Sequence, residues 1–251
     1  MAATTKEVAL ITGGKSGLGL ECAWKLLREN SDRLYVVIGC RTLPKGEDAV
    51  VALKADDRQD VECVQLNVKS EDSVAQAAGS IAEKHGKLDV LLGVRAGIAP
   101  DIDFTDRSVM PLSDLIMMAT TVEHFVSLLI KADNPRIVVM STGASSLLVA
   151  HDRVGLMQDF PAYSVSFESV FTLRCFVTQS PFQQARRDRG VLTYIQATRL
   201  NQFGANPSGR APGPLEEGAV NAVRLMLLGK DGESGTHTRL KDEADYETVP
   251  W

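Results

Sequence analysis

The chain has no surplus of basic residues: 27 Lys and Arg stand against 32 Asp and Glu, a formal net charge of −5. That balance excludes a general electrostatic affinity for nucleic acid or for an anionic membrane. Its basic clusters are short and interrupted. Arg186-Arg187-Asp188-Arg189 reads as the solvated end of a helix, where cations suit the dipole. No apolar run reaches membrane-spanning length. The first strand pattern begins at residue 8, which leaves no room for a signal peptide, and a cytoplasmic location is expected. Cys22, Cys40, Cys63 and Cys175 show no CxxC spacing, so buried reduced thiols are expected in place of disulfides or a metal site. There is no internal repeat and no linker. A chain of 251 residues, 44% apolar and 24% charged, then fits one sizeable α/β domain.

What is present is organised around the N-terminal stretch. Val8-Ala9-Leu10-Ile11 is a continuous apolar run of the kind a fully buried strand carries. Gly13, Gly14, Gly17 and Gly19 follow, with no Cβ to obstruct a tight turn. A helix then runs from Leu20 to about Arg28, with Ala23, Leu26 and Leu27 at helical spacing. A strand passing through glycines into a helix aims backbone N–H groups and the positive helix end at one spot. That spot suits a pyrophosphate.

The rest of the chain repeats strand and helix. Leu34–Gly39 reads as a second strand, and Pro44–Lys54 as a helix with proline in its first turn. Val61–Val68 is a third strand, and Ser70 is the expected N-cap of a helix ending near His85. Leu88–Leu92 is a fourth strand, about Ser113 to Lys131 a helix, and Arg136–Met140 a fifth strand. Pro161 to about Arg187 reads as helix, kinked or restarted at Pro181. Val191–Ile195 is a sixth strand, Asn201–Pro214 a Gly/Pro-rich loop and Leu215–Leu228 the last helix. Such alternation predicts a doubly wound parallel sheet of about seven strands, the Rossmann arrangement, with right-handed crossovers and one domain over 1–251.

Five segments carry a family resemblance. Thr12-Gly13-Gly14-Lys15-Ser16-Gly17-Leu18-Gly19 matches the TGxxxGxG loop of the short-chain dehydrogenase/reductase family. Leu88-Asp89-Val90-Leu91 followed by Ala96-Gly97-Ile98-Ala99 resembles its LDVLVNNAGIA segment, and Ala162-Tyr163-Ser164-Val165-Ser166 its YSxSK helix. Glu216-Glu217-Gly218-Ala219 and the tail from Gly232 to Trp251 are similar to the end of carbonyl-reductase-like members. The resemblance runs over essentially the whole chain. It implies a small-molecule substrate, and it is compatible with a homo-oligomer.

The family's chemistry rests on a Tyr, a Lys four residues later, a Ser and an Asn. Here Tyr163 is in place, Phe167 stands at the Lys position, Thr142 at the Ser position, and the helix segment Met118–Glu123 has no Asn. A phenol ionises near about pH 10, so without an ammonium beside it Tyr163 is a poor base at neutral pH. The stretch between Thr142 and Tyr163 is longer than in most of the family and holds His151, most simply a solvated loop histidine. Gly93-Val94-Arg95-Ala96-Gly97 replaces the NNAG segment with one residue inserted. Arg95 falls where doubly wound sheets bind ligands; it would grip an anion or stack on a ring, or else close a local ion pair. Asn67 stands where the family has an Asp near the adenine, and Ala197–Leu200 replaces a Pro-Gly.

The resemblance assigns cofactor contacts to Thr12, Gly13, Lys15, Ser16, Gly17, Leu18, Gly19, Arg41, Asn67, Ala96 and Gly97. Arg41, just past the second strand, is where NADP-preferring members place a cation. No acidic residue ends that strand to hold a free ribose hydroxyl, which favours NADP(H) over NAD(H). Tyr163, Thr142 and Arg95 are the catalytic candidates, and no metal is expected. Three functions stay open. One is a non-redox cyclase, isomerase or elimination enzyme for a natural-product-like apolar metabolite. Another is an atypical NADPH-dependent carbonyl reductase, and the last a catalytically dead binding or scaffold protein.

Overall fold

The computed structural model describes residues 6–55, 59–94, 112–142, 192–198, 215–242 and 245–248. The elements are β1 (Glu7–Thr12), α1 (Gly17–Asn30), β2 (Leu34–Cys40), α2 (Leu43–Lys54), β3 (Val61–Gln65), α3 (Glu71–His85) and β4 (Val90–Gly93). Then come α4 (Leu112–Leu129), β5 (Arg136–Thr142), β6 (Leu192–Thr198), α5 (Leu215–Met226), β7 (Thr236–Asp242) and β8 (Asp245–Thr248).

They form an eight-stranded sheet in the order β3-β2-β1-β4-β5-β6-β7-β8. The chain winds outward from β1 to β3, returns to the other side of β1, and continues to β7. All of these pairings are parallel. The last strand, β8, turns back antiparallel on β7, so the sheet exceeds the expected seven strands by one. This hairpin was not read from the tail, because THTRLKD and DYET have no apolar run and are held by pairing with a neighbour.

Alternation along β1 explains the two layers of the core. Ala9 and Ile11 face one side, with Cys22, Leu26 and Leu27 of α1, Leu53 of α2 and Ala222 of α5. Val8 and Leu10 face the other, with Val74 and Ile81 of α3 and Phe125 and Leu129 of α4. Both faces of a central parallel strand are buried, which is why its sequence reads as unbroken apolar.

Local signals place the helix ends. Ser70 caps α3, its Oγ accepting from Ser73 N at 3.3 Å, and Glu71 and Asp72 occupy the first turn. Gly86 closes the same helix at φ 75°, its N–H donating to Ala82 O. Pro44 sits in the first turn of α2 as expected. Boundaries moved modestly: α1 starts at Gly17 rather than Leu20, β3 stops at Gln65 rather than Val68, and β5 runs to Thr142.

Candidate active site at the carboxyl rim of the sheet

The switch point of the winding lies between β1 and β4, and in open α/β sheets ligands bind beyond the carboxyl ends of the strands at that point. The glycine loop occupies it. Gly13 and Gly17 adopt φ 66° and 57°, in the left-handed region where a Cβ is strained. Gly17 is exposed, and a Cβ there would meet nothing within 4 Å, so the loop's outer face is open to a ligand.

Two other glycines are needed for close approach. A Cβ on Gly14 would lie 2.7 Å from Ile38 Cβ, and one on Gly19 2.7 Å from Gly13 O. The start of α1 thus rests on the loop's own backbone. Ser16, the N-cap, makes no side-chain cap hydrogen bond, and no acidic residue occupies the helix's first turn. The helix N-terminus therefore keeps N–H groups and positive potential for an anion. Leu18 and Gly19 are buried and seat the helix on the loop; Gly13 and Ser16 are exposed and Lys15 is half-buried.

Thr12 joins two strand ends. Its hydroxyl accepts from Val94 N at 2.9 Å and donates to Val94 O at 3.2 Å. The side chain is 3% exposed and ties the end of β1 to the residue following β4. The glycine loop and the chain leading to Arg95 are thereby locked together.

Beyond β2 the rim continues with Arg41, which is exposed, its carbonyl accepting from Gln65 Nε2 at 3.4 Å. Gly39 admits Leu66 there: a Cβ would meet Leu66 Cδ2 at 2.7 Å. Glycine at the end of an apolar strand is the signal that marks such a close approach. A Cβ on Gly46 would overlap Cys40 Sγ, so α2 sits tightly over Cys40 and Cys63. Burial pushes both thiols up, more than Lys15 lowers Cys40, and neither is a ready nucleophile at neutral pH. Cys22 is likewise pushed up to about 12 by burial. These three cysteines are free.

Asn67, past the end of β3, is half-buried and tightly engaged: its N donates to Ser73 Oγ at 3.0 Å, and its Oδ1 accepts from Lys69 N at 3.2 Å. Val94 carries no chemical signal in the sequence, because it contributes only its backbone, whereas Ser73 contributes a hydroxyl six residues from Asn67. His124 takes a structural place, its Nε2 lying 3.4 Å from Glu71 Oε1 between α4 and α3.

Thr142 ends β5 opposite Thr198 of β6, on the same rim. Arg95, Ala96, Gly97, His151, Tyr163 and Phe167 lie outside the described residues. So the phosphate half of the expected site is brought together, and Tyr163 is not among the residues that can be placed. Among the described residues there is no cluster of three metal-ligating side chains, and no helix long and apolar enough to cross a membrane.

A switch-point glycine loop feeding a bare helix N-terminus in a doubly wound sheet defines the nucleotide-binding Rossmann class of α/β folds. Residues 7–153 match the short chain dehydrogenase family. A short-chain dehydrogenase/reductase of Stachybotrys chlorohalonatus is 38% identical over 99% of this chain and 95% of its own length. The chain belongs to the short-chain dehydrogenase/reductase family. Among solved structures it is similar in fold to salutaridine reductase of Papaver somniferum, with a TM-score of 0.71 and 22% identity over 92% of this chain and 99% of that one. It is also similar to NADPH-bound carbonyl reductase from chicken fatty liver, with a TM-score of 0.67 and 22% identity over 93% and 96% of the two chains.

Proposed function

We propose that the protein is a small-molecule enzyme that binds NADP(H) along this rim and uses the pocket beyond it for chemistry other than ordinary carbonyl reduction. The observation carrying the first half is the cradle. Gly13 and Gly17 turn the backbone at positive φ, with the outer face at Gly17 open, and Gly14 and Gly19 let the loop pack tightly on β2 and on itself, at a helix N-terminus with neither a capping side chain nor an acid. These residues fit a pyrophosphate, and Arg41 with Lys15 supplies cations for a 2′-phosphate. The solved relatives bound to NADPH or NADP support the same cofactor.

The second half rests on Phe167, four residues after Tyr163. NADP(H), when bound, supplies hydride transfer at its nicotinamide. The proton at the substrate oxygen would fall to Tyr163, without the family's Lys four residues on to lower its pKa. Losing one such preorganised charge costs about 3 kcal/mol of transition-state stabilisation. A phenol and Thr142 can still hold one oxygen or nitrogen of a substrate, and Arg95 can stabilise developing negative charge. That set suits cyclisation, isomerisation or elimination on an apolar, ring-containing metabolite.

The competing reading is an atypical NADPH-dependent reductase, favoured by similar proteins that are reductases, salutaridine reductase and carbonyl reductase among them. The test is product formation and NADPH oxidation followed together, for wild type and Tyr163→Phe, on a panel of polycyclic ketones and their isomers. Product without NADPH oxidation, lost in the variant, supports the non-redox reading. Conversion only with stoichiometric oxidation makes it a reductase. No conversion of any compound, with NADPH still bound, leaves a binding protein.

A further inference from the structure

Two thiols meet beneath the first turn of α2. Cys40 ends β2 and Cys63 lies in β3. A Cβ built on Gly46 would overlap Cys40 Sγ and stand 3.4 Å from Cys63 Sγ, so both sulfurs border one point. Cys40 is buried and Cys63 half-buried, which leaves entry to the pair from the Cys63 side. The cysteine spacing along the chain carries no sign of this, because strand pairing makes the pair.

The same pairing disfavours a disulfide. Cys40 pairs with Gln65 and Cys63 with Ile38, so the two lie one strand across and two residues along. Strand geometry then sets their Cα atoms about 8 Å apart, and a disulfide needs less than about 7 Å. An ion bonded to both sulfurs needs no such approach. Two metal–sulfur bonds in line span about 4.6 Å from sulfur to sulfur, which two sulfurs bordering one point can match.

The surroundings suit a bound dithiolate. The Gly46 N–H and the Lys15 charge both favour the Cys40 thiolate, although burial and the nearby Glu47 hold the free thiol protonated. A metal replaces those protons: two S–H protons leave as two sulfur–metal bonds form, and no electron moves. Among the described residues no third His, Cys, Asp or Glu completes a cluster. Zinc, which takes four ligands, is poorly served. A soft monovalent ion content with two thiolates, copper(I), is well served.

We propose that Cys40 and Cys63 form a two-thiolate site for copper(I), and that filling it weakens NADP(H) binding through Arg41. The close fit at Gly46 leaves no slack between α2 and the sulfurs, so an ion there lifts the first turn of α2. That turn begins at Leu43, just past Arg41, and Thr42 O lies 3.5 Å from Cys40 Sγ. The site stands by itself; its effect on the nucleotide rests on the NADP(H) reading above.

The experiment titrates the reduced full chain, without nucleotide and without oxygen, into the coloured copper(I)–bicinchoninate complex. NADPH affinity is then measured by calorimetry with and without one equivalent of copper(I). Wild type should strip one ion per chain, and loading should lower NADPH affinity at least tenfold. Cys40→Ala and Cys63→Ala should each weaken copper uptake at least a hundredfold, whereas Cys22→Ala combined with Cys175→Ala should leave it unchanged. Copper X-ray absorption on wild type, which needs no variant to fold, should show two sulfur neighbours. Absence of uptake, uptake that both single variants keep, or a sulfur count other than two overturns the site. Loaded protein that binds NADPH as tightly as the metal-free protein overturns the coupling. Failure of the metal-free protein to bind NADPH overturns the cofactor reading and the coupling with it, while the copper titration still decides the site.

Discussion

Glu7 and Arg136, the first residues of β1 and β5, close an ion pair of 2.6 Å across the amino-terminal rim of the sheet, opposite the glycine loop. Arg136 is fully buried, and its Nη1 donates to Leu228 O at 3.1 Å. Arg33 joins the same carboxylate at 3.1 Å and donates to Leu227 O at 3.2 Å. The knot ties β1, β5 and the end of α5 together. Removing one partner strands a buried charge, so Glu7→Ala should cost about 3 kcal/mol, read from urea unfolding. The double change Glu7→Leu with Arg136→Met should cost less than Glu7→Ala alone. A double variant no more stable than the single would show that the charge was not the issue.

Acid should weaken the fold in two steps. Burial pushes the Glu7 carboxyl up, but hydrogen bonds and charge from Arg136 and Arg33 outweigh it and hold the group below 4.5. A depressed carboxylate stabilises fully above that value, and the contribution is lost as pH falls through the folded value. His237 is lowered from 6.5 to about 4, by burial first and the Arg239 charge second. The unfolded chain takes up that proton near 6.5 and the folded one only near 4, so stability falls between those values. Urea midpoints followed from pH 7 to well below pH 4 should decline from about pH 6.5 downward, and again below 4.5. His237→Gln should flatten the first step and Glu7→Gln the second.

Thr12→Val should leave Val94 N and O without their partner and loosen the loop from β4. The expected loss is about 1–3 kcal/mol of stability, with weakened NADPH affinity alongside. Thr12→Ser, which keeps the hydroxyl, should restore both, as measured by denaturation and titration calorimetry. Equal affinities in Val and Ser variants would reduce the contact to a packing detail.

The two kinds of glycine should separate cleanly. Gly19→Ala drives a Cβ to 2.7 Å from Gly13 O and should abolish NADPH binding, because the loop must move. Gly86→Ala strains a φ of 75° with open space around it. It should cost about 1 kcal/mol of stability and leave NADPH affinity unchanged. A Gly19→Ala protein that binds normally would remove the cradle argument.

Arg41→Ala tests the phosphate preference. NADPH affinity should fall at least tenfold, about 1.4 kcal/mol, while NADH affinity barely changes. Equal losses for both nucleotides would assign Arg41 to the fold instead.

The glycine loop, the helix cap at Ser70 and the buried character of β1 were legible in the chain because each depends on neighbours a few residues apart. Gly13 and Gly17 need positive φ wherever the strand turns into α1, and Ser70 caps through Ser73 three positions on. The resemblance itself is a matter of such local stretches. The chain alone also carries the substitution of Phe167 for the family's Lys, which no fold is needed to see. Other relationships were decided by tertiary structure. Glu7 and Arg136 are two ordinary charges until β1 and β5 flank β4 and bring their ends together. Thr12 reads as a loop residue until Val94, 82 positions away, takes both sides of its hydroxyl. The eighth strand exists because β7 presents an open edge, and hydrogen-bonding edges are completed by whatever backbone the fold delivers to them.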